Sequence, residues 1–185
     1  TISRLVKEKG LVEFLKAAQL IINVYPNTFF LLIGERLTSD YDDSISKELN
    51  FAKNNMTKNL KLLGDRSDIR ELIAIMDLFC LPSWREGMPR TVIEAMMMKK
   101  PVIGTNIRGS RELIIHKKTG LIVPVKKEKE LENGMKFFIE NKNICKTYGA
   151  CGRKRAEKLF NEDKIVLKQI ELISKIFREK KSFNV

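Results

Sequence analysis

SWREGMPRTVIE, at Ser83–Glu94, follows an apolar run and leads into a stretch with helical character. The run before it, Leu78–Leu81, predicts a buried strand, and Gly87-Met88-Pro89 predicts a turn into a helix. Glu86 therefore lies on a strand-to-helix loop, and Glu94 lies about one turn inside the helix. Ligands bind at the carboxyl ends of strands in a parallel α/β sheet, beside helix N-termini. The segment is thus a candidate ligand site, with an anionic group expected at the helix start and hydroxyls at the two acids.

Short apolar runs alternate with helical stretches along the rest of the chain. The predicted strands are Phe29–Ile33, Leu60–Leu63, Asp77–Leu81, Pro101–Thr105 and Leu121–Pro124. The predicted helices are Gly10–Val24, Ser44–Lys53, Ser67–Ala74 (capped by Ser67), Pro89–Met98 (with Pro89 at its first position), Gly109–Ile114, and a helical tail from Glu128 with breaks near Asn141–Asn143 and Asn161. Strands separated by helices of this length indicate βαβ units. We therefore expect an α/β fold, with a Rossmann-like parallel sheet flanked by helices.

Length and charge limit the classes of protein to consider. A chain of 185 residues fits one α/β domain, or one domain with trailing helices. The formal net charge of +12 fits a nucleic acid, an anionic membrane surface or a phosphorylated substrate as partner, and it also fits a lysine-rich solvated surface. No apolar run approaches the ~20 residues that span a bilayer, and we expect no signal peptide. Because the chain begins at Thr1 without a methionine, we expect a segment to be missing before it.

Cysteine and histidine content argues against a zinc site. Three cysteines form no Cys-x-x-Cys pair, and His116 is the single histidine. Cys80 falls in a predicted buried strand. We therefore expect no disulfide framework, no metal, and a reducing compartment.

Carboxylates and cations of this candidate site predict the chemistry of its ligand. A carboxylate accepts two hydrogen bonds side by side, so Glu86 and Glu94 suit the hydroxyls of a sugar and the diol of a ribose. We expect the chain to start inside or just after a strand, so Arg4 and Lys9 lie on the loop that follows this strand, at the same predicted sheet edge. Arginine offers a fork of donors to a phosphate and lysine a point charge. The predicted ligand is a nucleotide diphosphate that carries a sugar.

With their flanks, these motifs resemble a known family. The E-x7-E pair stands in LPSWREGMPRTVIEAM, and the chain continues through Pro101–Thr105, GSRE at Gly109–Glu112 and TGLIVP at Thr119–Pro124; RLVKEKG at Arg4–Gly10 matches the family's R-L-x-x-x-K-G. Together they resemble the C-terminal, donor-binding domain of retaining glycosyltransferases with the GT-B fold, glycosyltransferase family 4 (group 1). The resemblance covers roughly residues 1–160.

This resemblance implies a role for each matching residue. Arg4 and Lys9 contact the donor diphosphate, where they offset the charge that grows on the leaving group. Glu86 holds hydroxyls of the transferred sugar, so these three are the catalytic candidates. Glu94 holds the ribose diol. The backbone of Gly87, Met88 and Pro89 lies against the sugar or the phosphates, and the loop from Gly64 to Ile69 contacts the nucleobase; no metal or other cofactor is expected.

Domain organisation and biology also follow from the resemblance. Residues 1–160 form the donor-binding domain, and residues 161–185 form a C-terminal helix that packs toward the absent N-terminal domain. The enzyme moves a hexose or N-acetylhexosamine from a nucleotide-diphosphate sugar, with UDP favoured, to a glycan or lipid-linked acceptor in surface polysaccharide assembly. We expect it in the cytoplasm, peripheral on the inner face of the membrane, and we expect this fragment alone to be inactive without its N-terminal domain.

Several readings stay open beside this one. A basic nucleic-acid-binding module would also explain the charge, although aromatic residues make up only 8% of the chain. A GT-B-like nucleotide-sugar epimerase is a second alternative, but it needs additional acid–base residues that we do not find in the sequence. The D-x-D at Asp40-Tyr41-Asp42 matches the metal site of metal-dependent transferases, but we expect Asp42 or Asp43 to cap the next helix. Trp84 is either a packing residue or a platform for a sugar, and Lys99 replaces the usual glycine at a helix end.

Overall fold

The computed structural model describes residues 1–38, 40 and 45–182, with side chains up to residue 178 at the carboxyl end. Its strands are β1 (Phe30–Ile33), β2 (Leu60–Gly64), β3 (Phe79–Leu81), β4 (Val102–Thr105) and β5 (Gly120–Val123). Its helices are a short 3-10 helix at Lys7–Lys9, then α1 (Leu11–Val24), α2 (Ser46–Asn55), α3 (Ile69–Ile75), α4 (Arg90–Met97), α5 (Arg108–Leu113), α6 (Glu128–Glu140), α7 (Lys142–Leu159) and α8 (Glu162–Ser182). Each predicted strand and helix is present, and where the structure describes both ends they differ from the prediction by at most two residues.

Parallel strand pairing forms two sheets among the described residues. β1 pairs with β2, and β4 lies between β3 and β5. The first residues also pair with β1: the N–H of Ser3 donates to the carbonyl oxygen of Ile33 at 3.0 Å, and the N–H of Ile33 donates to that of Thr1 at 3.0 Å. The predicted α/β fold with parallel strands is confirmed. The described strands are divided between two sheets rather than joined in one. Residues before Arg4 contribute only a single bridge, between Ile2 and Ile33, to the described strands.

Both faces of the strands are covered by helices, which explains their continuous apolar sequences. Successive side chains of a strand point to opposite faces. One apolar cluster joins α1, α2 and α6 to one face, and the other joins α3, α4 and α7 to the opposite face. On the strands, the first cluster takes Leu32, Cys80 and Ile103, and the second takes Ile33, Phe79 and Val102. Both sheets contribute side chains to both clusters, so the two sheets belong to the same domain core.

Two helix starts differ from the sequence prediction. Pro89 is the N-cap residue of α4, in extended backbone, and the first helical position belongs to Arg90. α3 begins at Ile69 with Asp68 at its N-cap, so Ser67 does not cap it. The Asp68 carboxylate is held instead by both Nε and Nη2 of Arg66, at 2.7 and 2.6 Å. The predicted first residues of α2, together with Asp42 and Asp43, lie outside the described residues.

A lysine in left-handed backbone ends α4. Lys99 has φ of +57°. Its N–H donates to the carbonyl oxygen of Met96 at 3.0 Å, and the N–H of Lys100 donates to that of Ala95 at 2.9 Å. These two bonds form a Schellman motif, whose left-handed position favours glycine. The predicted departure at Lys99 is therefore a site of backbone strain.

Helix α8 presents an apolar surface to solvent. Its large apolar side chains are exposed over the described part of the helix, namely Ile165, Val166, Leu167, Ile170, Leu172, Ile173, Ile176 and Phe177. These side chains form an apolar stripe that belongs to neither apolar cluster of the domain. Among the described residues, no helix is both long enough and apolar enough to cross a membrane.

Candidate functional site

Two loops of the predicted site are packed tightly together. Gly10 has φ of +69°, and a Cβ at this position would overlap the carbonyl oxygen of Pro82. The backbone N–H of Trp84 donates to the carbonyl oxygen of Glu8 at 2.8 Å. The basic turn before α1 and the acidic loop after β3 therefore meet at the carboxyl end of the sheet, as the sequence predicted. Only glycine at position 10 permits this approach.

Lys9 and Glu86 form an ion pair at the centre of the site. The Nζ atom of Lys9 lies 2.7 Å from Oε1 of Glu86, and the two side chains are 15% and 14% exposed. The hydroxyl of Ser83 donates to the same Oε1 at 2.8 Å. The carbonyl oxygen of Ser83 in turn accepts from the hydroxyl of Thr105 at the end of β4. Two donors thus fix one oxygen of Glu86, and Oε2 has no hydrogen bond within the described part of the chain.

Arg4 is also paired with carboxylates. Its Nη1 donates to Oδ1 of Asp40 at 2.6 Å. Its Nη2 lies 3.6 Å from Oε1 of Glu8, too far for a hydrogen bond. The other oxygen of Glu8 accepts from Nε of Arg85 at 2.8 Å and lies 2.6 Å from its Nη2. Three cations and three carboxylates therefore neutralise one another here, counting the Lys9–Glu86 pair.

Glu94 is the second acid of the motif and is exposed on α4. Its side chain has no hydrogen bond or ion pair with any described residue, so it is available to a ligand. The turn between the two acids has Gly87 and Met88 exposed and Pro89 buried. Gly109, in the first turn of α5, packs against this turn, because a Cβ there would overlap the carbonyl oxygen of Gly87. Helix α5 therefore packs directly against the backbone of this loop.

The loop after β2 lies at the end of the two-stranded sheet that β1 and β2 form. Gly64 has φ of +65°, and its carbonyl oxygen accepts from the N–H of Gly34 at 2.7 Å. Ile69, which opens α3, is half-buried. Between them, the hydrogen bonds from the Arg66 guanidinium hold the pKa of Asp68 below its ordinary value. The loop is thus braced within itself, and its contact with a nucleobase stays a prediction.

Partners of the predicted cations were missed by the sequence reasoning. Glu8 follows Arg4 by four residues, a spacing that could have suggested a pair. Asp40 lies 36 positions from Arg4 along the chain, so no local pattern could join them. Trp84, left open between packing and sugar binding, has Nζ of Lys126 4.1 Å above the centre of its ring. Lys126 covers this ring, which favours the packing role.

Metal ligands are not grouped in the part of the chain that the structure describes. No three His, Cys, Asp or Glu side chains there are placed to hold a metal ion. Asp40, the described acid of the D-x-D sequence, is occupied by Arg4, while Tyr41 and Asp42 lie outside the described residues. Donor binding without a metal stays a prediction.

Sequence comparison identifies the family. The model of "Glycosyl transferases group 1" matches residues 1–155. The chain belongs to this family. It is 28% identical over 176 residues to the capsular polysaccharide biosynthesis glycosyltransferase CapM of Staphylococcus aureus, covering 95% of the chain and 45% of CapM. It is 33% identical over 125 residues to the UDP-Gal:alpha-D-GlcNAc-diphosphoundecaprenol alpha-1,3-galactosyltransferase of Escherichia coli, covering 66% of the chain and 31% of that protein.

Solved structures of GT-B glycosyltransferases share the fold. Anabaena Alr3699/HepE in complex with UDP superposes with a TM-score of 0.86 at 27% identity, over 94% of the chain and 47% of HepE. The C-terminal domain of a glycosyl transferase group 1 family protein (LpcC) from Francisella tularensis superposes with a TM-score of 0.77 at 23% identity, over 86% of the chain and 83% of that domain. The chain spans less than half the length of CapM and of the E. coli transferase, and it matches nearly a whole C-terminal domain.

Proposed function

We propose that this chain is the donor-binding domain of a retaining glycosyltransferase that uses a UDP-sugar. The observation that carries the proposal is the pairing of Lys9 with Glu86 at the carboxyl end of the sheet, with Arg4 beside it and Glu94 unpaired on α4. This set offers cations to a diphosphate and carboxylate oxygens to two groups of hydroxyls. Support for UDP comes from HepE, whose solved structures hold UDP and UDP-glucose.

Each charged residue has a distinct part in the proposed reaction. The bond between C1 of the sugar and the diphosphate oxygen breaks, and the acceptor hydroxyl oxygen bonds to C1 on the same face, which retains the anomeric configuration. Its proton passes to the departing diphosphate. Arg4 and Lys9 offset the charge that develops on that diphosphate, which is where electrostatic stabilisation is most effective. Glu86 holds sugar hydroxyls through the oxygen that its neighbours leave open, and Glu94 holds the ribose diol.

Calorimetric titration tests donor binding. The chain is titrated with UDP, GDP, ADP and UDP-GlcNAc, and we expect UDP and UDP-GlcNAc to bind. Arg4→Ala and Glu94→Ala should each raise the Kd for UDP by about tenfold or more, since each removes a charge-assisted hydrogen bond worth roughly 1.5–3 kcal/mol.

Two exposed residues provide matched controls. Glu130 is an exposed glutamate on α6, and Arg178 is an exposed arginine on α8. Glu130→Ala and Arg178→Ala remove the same charges away from the site and should leave the Kd unchanged. The proposed site would be refuted if all four nucleotides bound equally well and neither Arg4→Ala nor Glu94→Ala weakened their binding. Tight, salt-dependent binding to duplex DNA without nucleotide binding would favour the nucleic-acid module instead.

The acceptor is proposed to be lipid-linked, at an anionic membrane surface. Two considerations support this: the net charge of +12, and the activity that gives the E. coli relative its name, which acts on a diphosphoundecaprenol-linked sugar. Basic residues near an anionic bilayer contribute about 1 kcal/mol each within a Debye length. Sedimentation with vesicles of phosphatidylglycerol and phosphatidylcholine should remove the chain from solution at low salt and release it at high salt. Equal sedimentation at both salt concentrations would contradict the membrane proposal.

The exposed apolar stripe of α8 fits a further part of the protein. We propose that it packs against the N-terminal domain of the same enzyme, as the resemblance implies. Contiguous exposed apolar surface usually marks a site that another protein segment or a membrane covers. A longer protein that includes the N-terminal domain should therefore protect the backbone amides of α8 from hydrogen exchange, whereas this chain alone should not.

A further inference from the structure

We propose that Asp40 is a positioning residue, which holds the guanidinium group of Arg4 in the orientation that receives a phosphate of the donor. This inference rests on the proposed function, because it requires that Arg4 contacts the donor diphosphate. Asp40 comes from the loop after β1, and the sequence singled it out only as the first acid of a D-x-D, not as a partner of Arg4.

Contacts from its own loop hold Asp40 in place without Arg4. Its side chain is 8% exposed. Its Oδ2 accepts from the backbone N–H of Leu37 at 2.9 Å. Its main-chain carbonyl oxygen accepts from Nε and Nη2 of Arg36, at 3.0 and 2.7 Å. The carboxylate is therefore a fixed point, and its remaining oxygen, Oδ1, is the one that meets Arg4.

Arg4, in contrast, depends on Asp40 for its orientation. Its side chain is 43% exposed, and its other carboxylate neighbour among the described residues, Glu8, lies beyond hydrogen-bond distance at 3.6 Å. Glu8 is engaged more closely by Arg85, at 2.6 Å. Without Asp40, the long side chain of Arg4 would sample many rotamers, and a ligand would have to order it.

The geometry of the Arg4–Asp40 contact leaves Arg4 able to bind an anion. A guanidinium group has five N–H donors, and Asp40 takes one of them through Nη1. Several donors of the fork remain for phosphate oxygens. The negative charge of Asp40 opposes an anionic ligand, but the half-exposed surroundings of Arg4 screen that effect. Orientation therefore outweighs repulsion, and loss of Asp40 should weaken nucleotide binding.

Measuring UDP affinity over a set of variants separates orientation from charge. Asp40→Ala removes both the acceptor and the charge, and it should raise the Kd for UDP about tenfold. Asp40→Asn keeps an amide oxygen that can accept from Nη1, so it should raise the Kd by only about threefold. Glu35→Gln is the matched control: this exposed carboxylate stands on the same loop and has no partner among the described side chains. It should change the Kd by less than about twofold.

A double-mutant cycle with Arg4 shows whether Asp40 acts through that residue. In an Arg4→Ala background, Asp40→Ala should have no further effect on the Kd. A further loss of UDP affinity in that background would mean that Asp40 only supports its loop. Tighter binding of UDP by both Asp40 variants would mean that Asp40 competes with the ligand for Arg4. Either result overturns the inference. Melting temperatures report whether each variant is folded, and Asp40→Asn carries the test if Asp40→Ala is not.

The same titrations distinguish this inference from the function on which it rests. Weaker binding by Arg4→Ala with unchanged binding by both Asp40 variants would leave the donor site intact and overturn the role of Asp40 alone. No binding of UDP by the unaltered chain would contradict both. Guanidinium NMR spectra of the ligand-free chain give an independent readout, because restricted rotation of the Arg4 group should be lost in Asp40→Ala and largely kept in Asp40→Asn.

Discussion

Lys99 holds a conformation that its side chain disfavours. For a residue with a Cβ, left-handed backbone costs roughly 1–2 kcal/mol, whereas glycine adopts it freely but loses more entropy on folding. Lys99→Gly should therefore stabilise the chain by about 0.5–1 kcal/mol, which corresponds to a rise in Tm of roughly 1–4 °C. Thermal unfolding measures the change. Lys99→Ala removes the same side chain but keeps the Cβ, so it should give no such rise; equal stabilisation by both would contradict the strain.

Gly109 allows the loop that carries Glu86 to pack closely against α5. A methyl group there would overlap the backbone carbonyl of Gly87, and backbone cannot move aside cheaply. Gly109→Ala should cost about 1–3 kcal/mol of stability and weaken UDP binding by displacing the loop. Gly152→Ala is the matched control, since its Cβ would meet the side chain of Met96 at 3.6 Å, an ordinary contact. That change, in the middle of α7, should stabilise the chain by about 0.4–1 kcal/mol and leave UDP binding unaltered.

At the scale of elements, α7 holds the ends of the helices that flank the site. The guanidinium of Arg155 donates to the carbonyl oxygens of Leu113 and Glu112, at 2.8 and 2.7 Å, at the carboxyl end of α5. Arg153 likewise donates to the carbonyl oxygen of Met97 at the end of α4. Helix C-termini carry partial negative charge and unpaired carbonyls, so both arginines satisfy groups that would otherwise lack partners.

Removing the Arg155 contacts should therefore be costly. Arg155→Ala should lower the free energy of unfolding by about 1.5–3 kcal/mol, because two charge-assisted hydrogen bonds are lost. Arg155→Lys should restore only part of this, since an ammonium group lacks the fork that reaches both carbonyls. Lys154→Ala, an exposed neighbour on the same helix, should have little effect in the same denaturant titration. Equal losses at positions 154 and 155 would contradict the capping role.

The elements were also the part of the structure that the sequence predicted best. Strands buried on both faces read as apolar runs, and β3 to β5 follow that rule. Glu86 and Glu94 could be placed because a strand, a turn and a helix follow one another within a few residues. The partners of Arg4 and Lys9 could not, since Asp40 and Glu86 lie 36 and 77 positions away and meet these cations only once the loops have folded.

On the scale of the whole molecule, α8 adds surface without adding core. Both apolar clusters end at Phe160 or earlier, and the described side chains of α8 belong to neither. A chain that ends after residue 160 should therefore keep the melting temperature of the full chain within about 2 °C, since burial is what stabilises a domain. It should also self-associate less, because the apolar stripe is gone. A large fall in Tm on truncation, measured beside sedimentation of both chains, would contradict this independence.

The ion pair between Lys9 and Glu86 would give the proposed donor site a means of discriminating between ligands. A ligand that attracts only the lysine leaves a poorly solvated carboxylate alone, and a ligand that attracts only the carboxylate leaves the ammonium alone. Separating such a pair without replacing both partners is costly. A molecule that carries phosphate and sugar together replaces both at once. Under the proposed function, we therefore expect the pair itself to disfavour free diphosphate and free sugar, and to favour a donor that carries both.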